Sequence, residues 1–312
     1  MRFAVYLPIA MPLVAAVAAR PIAEHLRPRT AAWMVTAAAL VLAVASLGAL
    51  GLLAAAGLAQ LPALAAMKGY PIRLVQHEDP ASLSLGALAA VLLAAAVGNG
   101  LHAGARRLVA LLDVMDRAAG LDAPGQVVVL DDGSCDAYAV PGLPGRIVVS
   151  RAMLEALRPE ERVALIAHER AHLQRWHVAF VGVTRCAAAA NPFLRPLQRT
   201  VEYAVERWAD ELAADVTGDR RRTAVAIAKA ALARDGRSSA APIASLGIAG
   251  AASAAGQGGP VPRRVAALLA PPVRSHPAAL LLAVVGLLVA VGCAAEGARD
   301  LHALFLMVGL LH

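Results

Sequence analysis

The sequence predicts a multi-pass α-helical membrane protein that also carries an α+β domain, mainly helical with a small β-sheet. Three observations support this. The 312 residues are 59% hydrophobic and only 16% charged, which is too apolar for an ordinary soluble chain of this length. The charges are unevenly placed, with the first hundred residues and the last forty nearly free of them while the middle holds most of the Asp, Glu and Arg. Within that middle, the hydrophobic period switches from helical to strand-like and back.

Crossing the hydrocarbon core takes about 20 apolar residues in a helix. Segments at 3–19, 31–56, 84–104 and 278–294 meet that need. The first contains Pro8 and Pro12 and is short, but its lone Arg2 and lack of a clear cleavage site favour a span over a signal peptide. Arg20, Arg27 and Arg29 follow the first span, and Arg106 with Arg107 follow the third. The loop at 57–81 balances Lys68 and Arg73 against Glu78 and Asp79. Because short cytoplasmic loops retain positive charge, this loop is expected outside, together with both termini. The organisation is then a membrane region with three transmembrane helices at 1–104, a cytoplasmic domain at 105–275, and a C-terminal transmembrane helix with a short tail at 276–312, all in the cell membrane.

The net charge of +7 lies largely beside the spans, where basic residues meet anionic headgroups, so membrane lipid is an expected partner and nucleic acid is not. Cys135, Cys186 and Cys293 have spacings that suit neither a disulfide framework nor a cysteine-based metal site, and they read as free thiols of a reducing compartment.

The third span is expected to run on as a helix through 105–123, on the spacing of Leu108, Leu111, Leu112 and Met115. Short strands follow at 126–130, 137–140 and 146–149, separated by Asp131-Asp132-Gly133 and by the Pro- and Gly-rich stretch 141–145. Ser150 can cap a helix at 151–157. Pro159, Glu160 and Glu161 open the next helix, since Pro suits its first turn and acids suit the positive end of its dipole. That helix should end near Arg175, and the apolar helix after it should stop at Asn191-Pro192. At 178–190, with Arg185 inside, the latter is too short for an independent span. Further helices are expected at 193–216 and 221–233, then a Gly-, Ala- and Ser-rich loop at 235–262 and a basic helix at 263–269. The tail from Leu301 to His312 is expected to lie in the membrane interface as an apolar helix.

His168-Glu169-Arg170-Ala171-His172 places two histidines four apart on a helix, so both imidazoles can reach one zinc ion. Glu169 is then placed to act as general base on the attacking water. A catalytic zinc wants a third protein ligand. A third His in the astacin and matrixin manner would fall at 178 with Gly at 175, but Arg175 and Val178 stand there, and His177 is one position off. A Glu from a later helix is the other solution. Glu206 is preferred because Asp210, four residues on, can orient a ligand imidazole. Glu202 lies on the same side of that helix and stays open, whereas Glu211 is about 140° round from Glu206. Arg220, Arg221 and Arg222 are candidates for stabilising an oxyanion because they follow this helix.

HExxH, Asn191-Pro192 and then ExxxD, set between membrane spans, resemble the BlaR/MecR-type regulatory membrane metallopeptidases. The pattern is also similar to the HtpX and CAAX prenyl protease group; these are peptidase families fifty-six and forty-eight. The resemblance covers roughly 125–270. It implies a zincin-type (gluzincin) metallopeptidase domain in which His168, His172 and Glu206 bind Zn2+, Glu169 is the acid/base and Asp210 supports a ligand. Asp136-Ala137-Tyr138-Ala139 resembles the Asn-Ala-Phe-Ala edge strand along that family's cleft, with Asp and Tyr as departures. Ala137, Tyr138 and Ala139 are thereby expected to bind a protein or peptide substrate. The implied function is a membrane-embedded zinc-dependent metalloendopeptidase that hydrolyses peptide bonds of a protein substrate, with regulatory cleavage of a repressor as one role. A quality-control protease for membrane proteins and a non-catalytic zinc-binding signal transducer are the competing readings. Only about eighteen residues follow the last span, so direct β-lactam sensing is not expected.

Overall fold

A computed structural model describes residues 6–61, 83–120, 126–131, 133–142, 144–237 and 260–307. Ten helices and three strands are described. In chain order they are α1 (Leu7–Glu24), α2 (Pro28–Ala59), α3 (Leu83–Ala119), β1 (Val127–Leu130), β2 (Ala137–Val140), β3 (Arg146–Ser150), α4 (Arg151–Ala156), α5 (Pro159–Gln174), α6 (His177–Ala190), α7 (Arg195–Thr217), α8 (Arg220–Arg237), α9 (Pro260–Leu269) and α10 (Pro277–Met307). Among them α1, α2, α3 and α10 are long and apolar enough to cross a membrane. Most of the loop expected at 57–81 and of that expected at 235–262 lies outside the described residues.

Pro12 does not break α1, although it removes the N–H that would bond the Pro8 carbonyl. The buried Ser46 hydroxyl of α2, which bonds the Leu42 carbonyl of its own helix at 2.7 Å, also lies 3.1 Å from the Pro8 carbonyl, so the freed acceptor shares a donor from a neighbouring helix. Further along, α2 and α3 approach until their backbones touch. A Cβ on Gly57 would lie 2.5 Å from the Gly86 Cα, so only glycine permits this crossing. One expectation needs correction: the tail is not a separate interfacial helix, because α10 runs unbroken to Met307. No Pro interrupts 295–306, and one continuous helix leaves fewer backbone groups unpaired than two.

The sheet has the order β1-β3-β2, with β1 parallel and β2 antiparallel to β3, which leaves β2 at an edge of the described sheet. Ser150 ends β3 and caps α4, its hydroxyl accepting from the Met153 N–H at 3.1 Å. At the start of α5, Glu161 does more than complement the dipole. Its carboxylate is fully buried, accepts from the Arg158 backbone N–H at 2.9 Å, and pairs with the Arg158 guanidinium at 2.8 Å and Lys229 of α8 at 2.7 Å. Burial alone would raise its pKa, but the bonds from Arg158 and Lys229 prevail and hold it down to about 2. α5 is thereby pinned to α8 at the end opposite its histidines.

Two cores position these helices. Ile147 and Val149 of β3 pack with Met153, Leu157 and Leu165, seating α5 on the sheet. Leu197, Val201, Ala204, Val205 and Trp208 form one stripe of α7 and pack with Ala31, Val35, Ala39 and Leu42 of α2 and with Phe180 and Val181 of α6. Asn191, whose side chain accepts from the Phe193 N–H at 3.1 Å, turns the chain into α7, and Gly218 ends that helix at φ 66.

The α2–α3 crossing gives a direct test by thermal unfolding in detergent. Gly57→Leu should destabilise by about 1–3 kcal/mol or more through overpacking. Gly48→Leu on the same helix should be close to neutral, because nothing lies within 4 Å of its Cβ position. Equal effects at both positions would refute the close contact.

Candidate active site

Helix α5 presents His168 and His172 to Glu206 of α7, and these three offer ligand atoms that all lie within 4.8 Å of one another. His168 Nε2 is 3.1 Å from His172 Nε2, while Glu206 Oε2 and Oε1 stand 3.5 Å and 3.6 Å from them respectively. Ligand atoms about 2.0–2.1 Å from a tetrahedral zinc ion would be about 3.3 Å apart. The three groups therefore fit a single such ion with little movement.

Both Nδ1 atoms face away from this point towards groups of different kinds, and the contact of His168 Nδ1 is an ion-pair distance without hydrogen-bond alignment. His168 Nδ1 lies 3.0 Å from Asp210 Oδ1. His172 Nδ1 lies 3.0 Å from His177 Nδ1. If His172 offers Nε2 to a metal, its Nδ1–H donates to His177, whose own proton must then sit on Nε2. That Nε2 is buried without a hydrogen-bond partner among the described residues, with the Trp208 ring centroid 4.8 Å from that of His177. His177 was weighed in the sequence only as an off-register ligand. Trp176, in the left-handed region at φ 52, turns the chain so that His177 comes in behind His172 instead.

Electrostatically the site is divided. Burial would lower the pKa of His168, but Asp210 and Glu206 outweigh it and raise it to about 9. Burial lowers His172 to about 4, and burial together with His172 lowers His177 to about 3. Burial raises Glu169 to about 7, against the attraction of His168 and Arg234. Glu206 and Asp210 would also be raised by burial, yet the Arg264 guanidinium keeps both well below the usual carboxylate range.

The other acids of α7 are engaged elsewhere. Glu202 pairs with Arg185 of α6 at 2.8 Å, and Glu211 pairs with Arg220. Of the arginines at 220–222, Arg220 and Arg222 are engaged away from the site. Arg220 also donates to the Leu268 and Ala267 carbonyls at the end of α9, and Arg222 pairs with Asp219 at 3.6 Å. These guanidiniums are drawn to helix termini rather than to the site. In the edge strand, Ala139 joins His172, Leu173 and Trp176 around a cavity of about 220 Å³. Ala137 is buried and its carbonyl accepts from Arg234 at 3.1 Å, while Tyr138 packs with Ala118, Val128 and Val148.

Among family comparisons, the chain matches the model of Peptidase family M48 over residues 102–184, about a quarter of its length. That segment includes His168, Glu169 and His172 and ends before Glu206. Comparison with curated proteins and with solved structures finds no match. The family match supports a metal-dependent protease, and its family is one of the two that the motifs resemble.

The geometry fixes a sign for the pH dependence of metal binding. Since His168 stays protonated up to about pH 9 in the free protein, a metal must displace its proton at neutral pH. Affinity should rise as pH increases towards 9 and then level off. Calorimetry in buffers of different ionisation enthalpy should detect about one proton released at pH 7. Binding without proton release would be incompatible with this arrangement.

Proposed function

We propose that this chain is a membrane-embedded, zinc-dependent metalloendopeptidase that hydrolyses peptide bonds in a protein or peptide substrate. The observation that carries the reading is the convergence of His168, His172 and Glu206, with Glu169 buried beside them. Two imidazoles and a carboxylate, leaving one position open, are the donor set of a catalytic rather than a structural zinc site. When bound, the ion supplies Lewis-acid polarisation of the scissile carbonyl and of the attacking water.

The remaining work belongs to the chain. Glu169 takes a proton from the water and delivers it to the leaving amine, and a pKa raised to about 7 by burial suits both transfers near neutral pH. Asp210 and His177 hold the two ligand imidazoles in the tautomer that offers Nε2. Substrate binds as an extended segment along the main chain of Ala137, Tyr138 and Ala139, since β2 is an edge of the described sheet. Four apolar helices support the membrane setting, and the arginines beside them support a cytoplasmic site in the cell membrane. The resemblance to the BlaR/MecR group points to regulatory cleavage of a repressor as the biological role.

Two experiments test this. In the purified, detergent-solubilised protein, Glu169→Gln should keep its zinc while peptide hydrolysis falls by about 10²–10⁴-fold or more. Glu206→Ala should lose at least about tenfold in zinc affinity, and Glu202→Ala should not. Undiminished cleavage by Glu169→Gln, or full zinc in Glu206→Ala, would defeat the assignment.

Topology is tested with Glu160→Cys in a chain whose three native cysteines are replaced. An impermeant maleimide should label it only after the membrane is permeabilised; labelling in intact cells would reverse the orientation.

A further inference from the structure

The guanidinium of Arg264 reaches the candidate metal site from α9 and pairs there with both Glu206 and Asp210. Its Nη1 lies 2.8 Å from Glu206 Oε2. Its Nε and Nη2 grip Asp210 through both carboxylate oxygens, at 2.8 Å and 2.6 Å. The side chain is only 11% exposed, so these are charge-assisted bonds in a site with little competing water. Glu206 and Asp210 are one helical turn apart, and a planar fork with donors on two edges spans them where an ammonium could not.

From this arrangement we infer that Arg264 is the positioning residue for two parts of the metal centre at once. Both oxygens of Glu206 stand near a histidine, Oε2 3.5 Å from His168 Nε2 and Oε1 3.6 Å from His172 Nε2, but Arg264 holds Oε2 and so leaves Oε1 to bind metal through a single oxygen. A carboxylate free to bind through both oxygens would fill the position needed for water or substrate. Through Asp210 the same guanidinium also reaches His168, because Asp210 Oδ1 lies 2.6 Å from Arg264 Nη2 and 3.0 Å from His168 Nδ1. One cation thus sets the rotamer of the third ligand and the orientation of the first.

The helix that carries it is anchored independently. Arg263 pairs with Glu24 at the end of α1 at 2.9 Å and lies 4.2 Å over the Tyr203 ring of α7. Arg220 donates to the carbonyls of Ala267 and Leu268 at the other end of α9. The Arg263–Glu24 pair is partly exposed and by itself holds little, but buried Leu268 of α9 packs with Ala214 of α7 and Ala224 of α8, so α9 keeps its place apart from the contacts of Arg264.

This inference rests on Glu206 being a metal ligand, and the test separates the two claims. Full-length protein in detergent is prepared as wild type, Arg264→Met, Arg264→Lys and Glu206→Ala. Zinc affinity is measured by chelator competition, the visible spectrum is recorded with Co2+ as the probe, and kcat and KM are measured on a peptide. Arg264→Met should bind zinc about 10- to 100-fold more weakly. Its Co2+ bands should lose intensity as the coordination number rises, and kcat should fall with KM little changed. Arg264→Lys keeps the charge without the fork, so it should fold and still fail to restore the wild-type Co2+ spectrum. If Arg264→Met does not fold, the lysine variant decides. A wild-type spectrum and affinity in Arg264→Lys, or in a folded Arg264→Met, would overturn the positioning role. Full metal in Glu206→Ala would instead overturn the underlying ligand assignment.

Discussion

Two carboxylates, Asp210 almost out of water and Glu206 partly buried, lie one turn apart on α7 and must stay ionised there. Taking each charge out of water costs on the order of several kcal/mol even after relaxation. That cost is offset only where cations and donors converge, and here they come from two other helices: Arg264 from α9 and His168 from α5. The meeting of α5, α7 and α9 follows from this need. The opposite stripe of α7 is apolar and packs with α2, so the charged face has one direction in which to look.

The two histidines of the candidate metal site differ in what stands behind them. His168 is backed by an anion, which makes its imidazole the more basic and the harder to free from its proton. His172 is backed by the neutral ring of His177, which orients it without adding charge. A carboxylate behind His172 as well would have added a further acid to Glu169, Glu206 and Asp210 around the histidines. With His177 there instead, the bonds of Arg264 go to Glu206 and Asp210.

Much of this was legible in the sequence because it depends on short spacings. The four-residue intervals of His168 to His172 and Glu206 to Asp210 put each pair on one face, and the strands, the Ser150 cap and the Asn191-Pro192 stop are set by local chemistry. The choice of Glu206 over Glu211 also followed from helix angle, and Glu211 does turn away to Arg220. Excluding Glu202 took the structure, since only the packing of α6 on α7 brings Arg185 to it. His177 and Arg264 were not legible for the same reason. One depends on a left-handed residue at Trp176, and the other lies 54 residues beyond its partner Asp210. Glu161 was legible as a first-turn acid that suits the helix dipole, but not its burial, which depends on Lys229 arriving from α8.

These contacts also bear on how far the long apolar helices and the candidate metal site are separable. α7, which carries Glu206, packs with α2. α6, which begins at His177, packs with the same helix through Phe180 and Val181, and Trp33 of α2 meets the Phe180 ring edge-on at 4.8 Å. α9, which carries Arg264, is joined to α1 through Arg263 and Glu24. Each supporting group of the site thus has a neighbour on a helix long enough to cross a membrane, and α3 continues without a break from such a segment towards the sheet. Close-packed interiors transmit displacement rather than absorb it. The spacing of Glu206 from the histidines is therefore set by how α1 and α2 pack as much as by the HExxH helix itself.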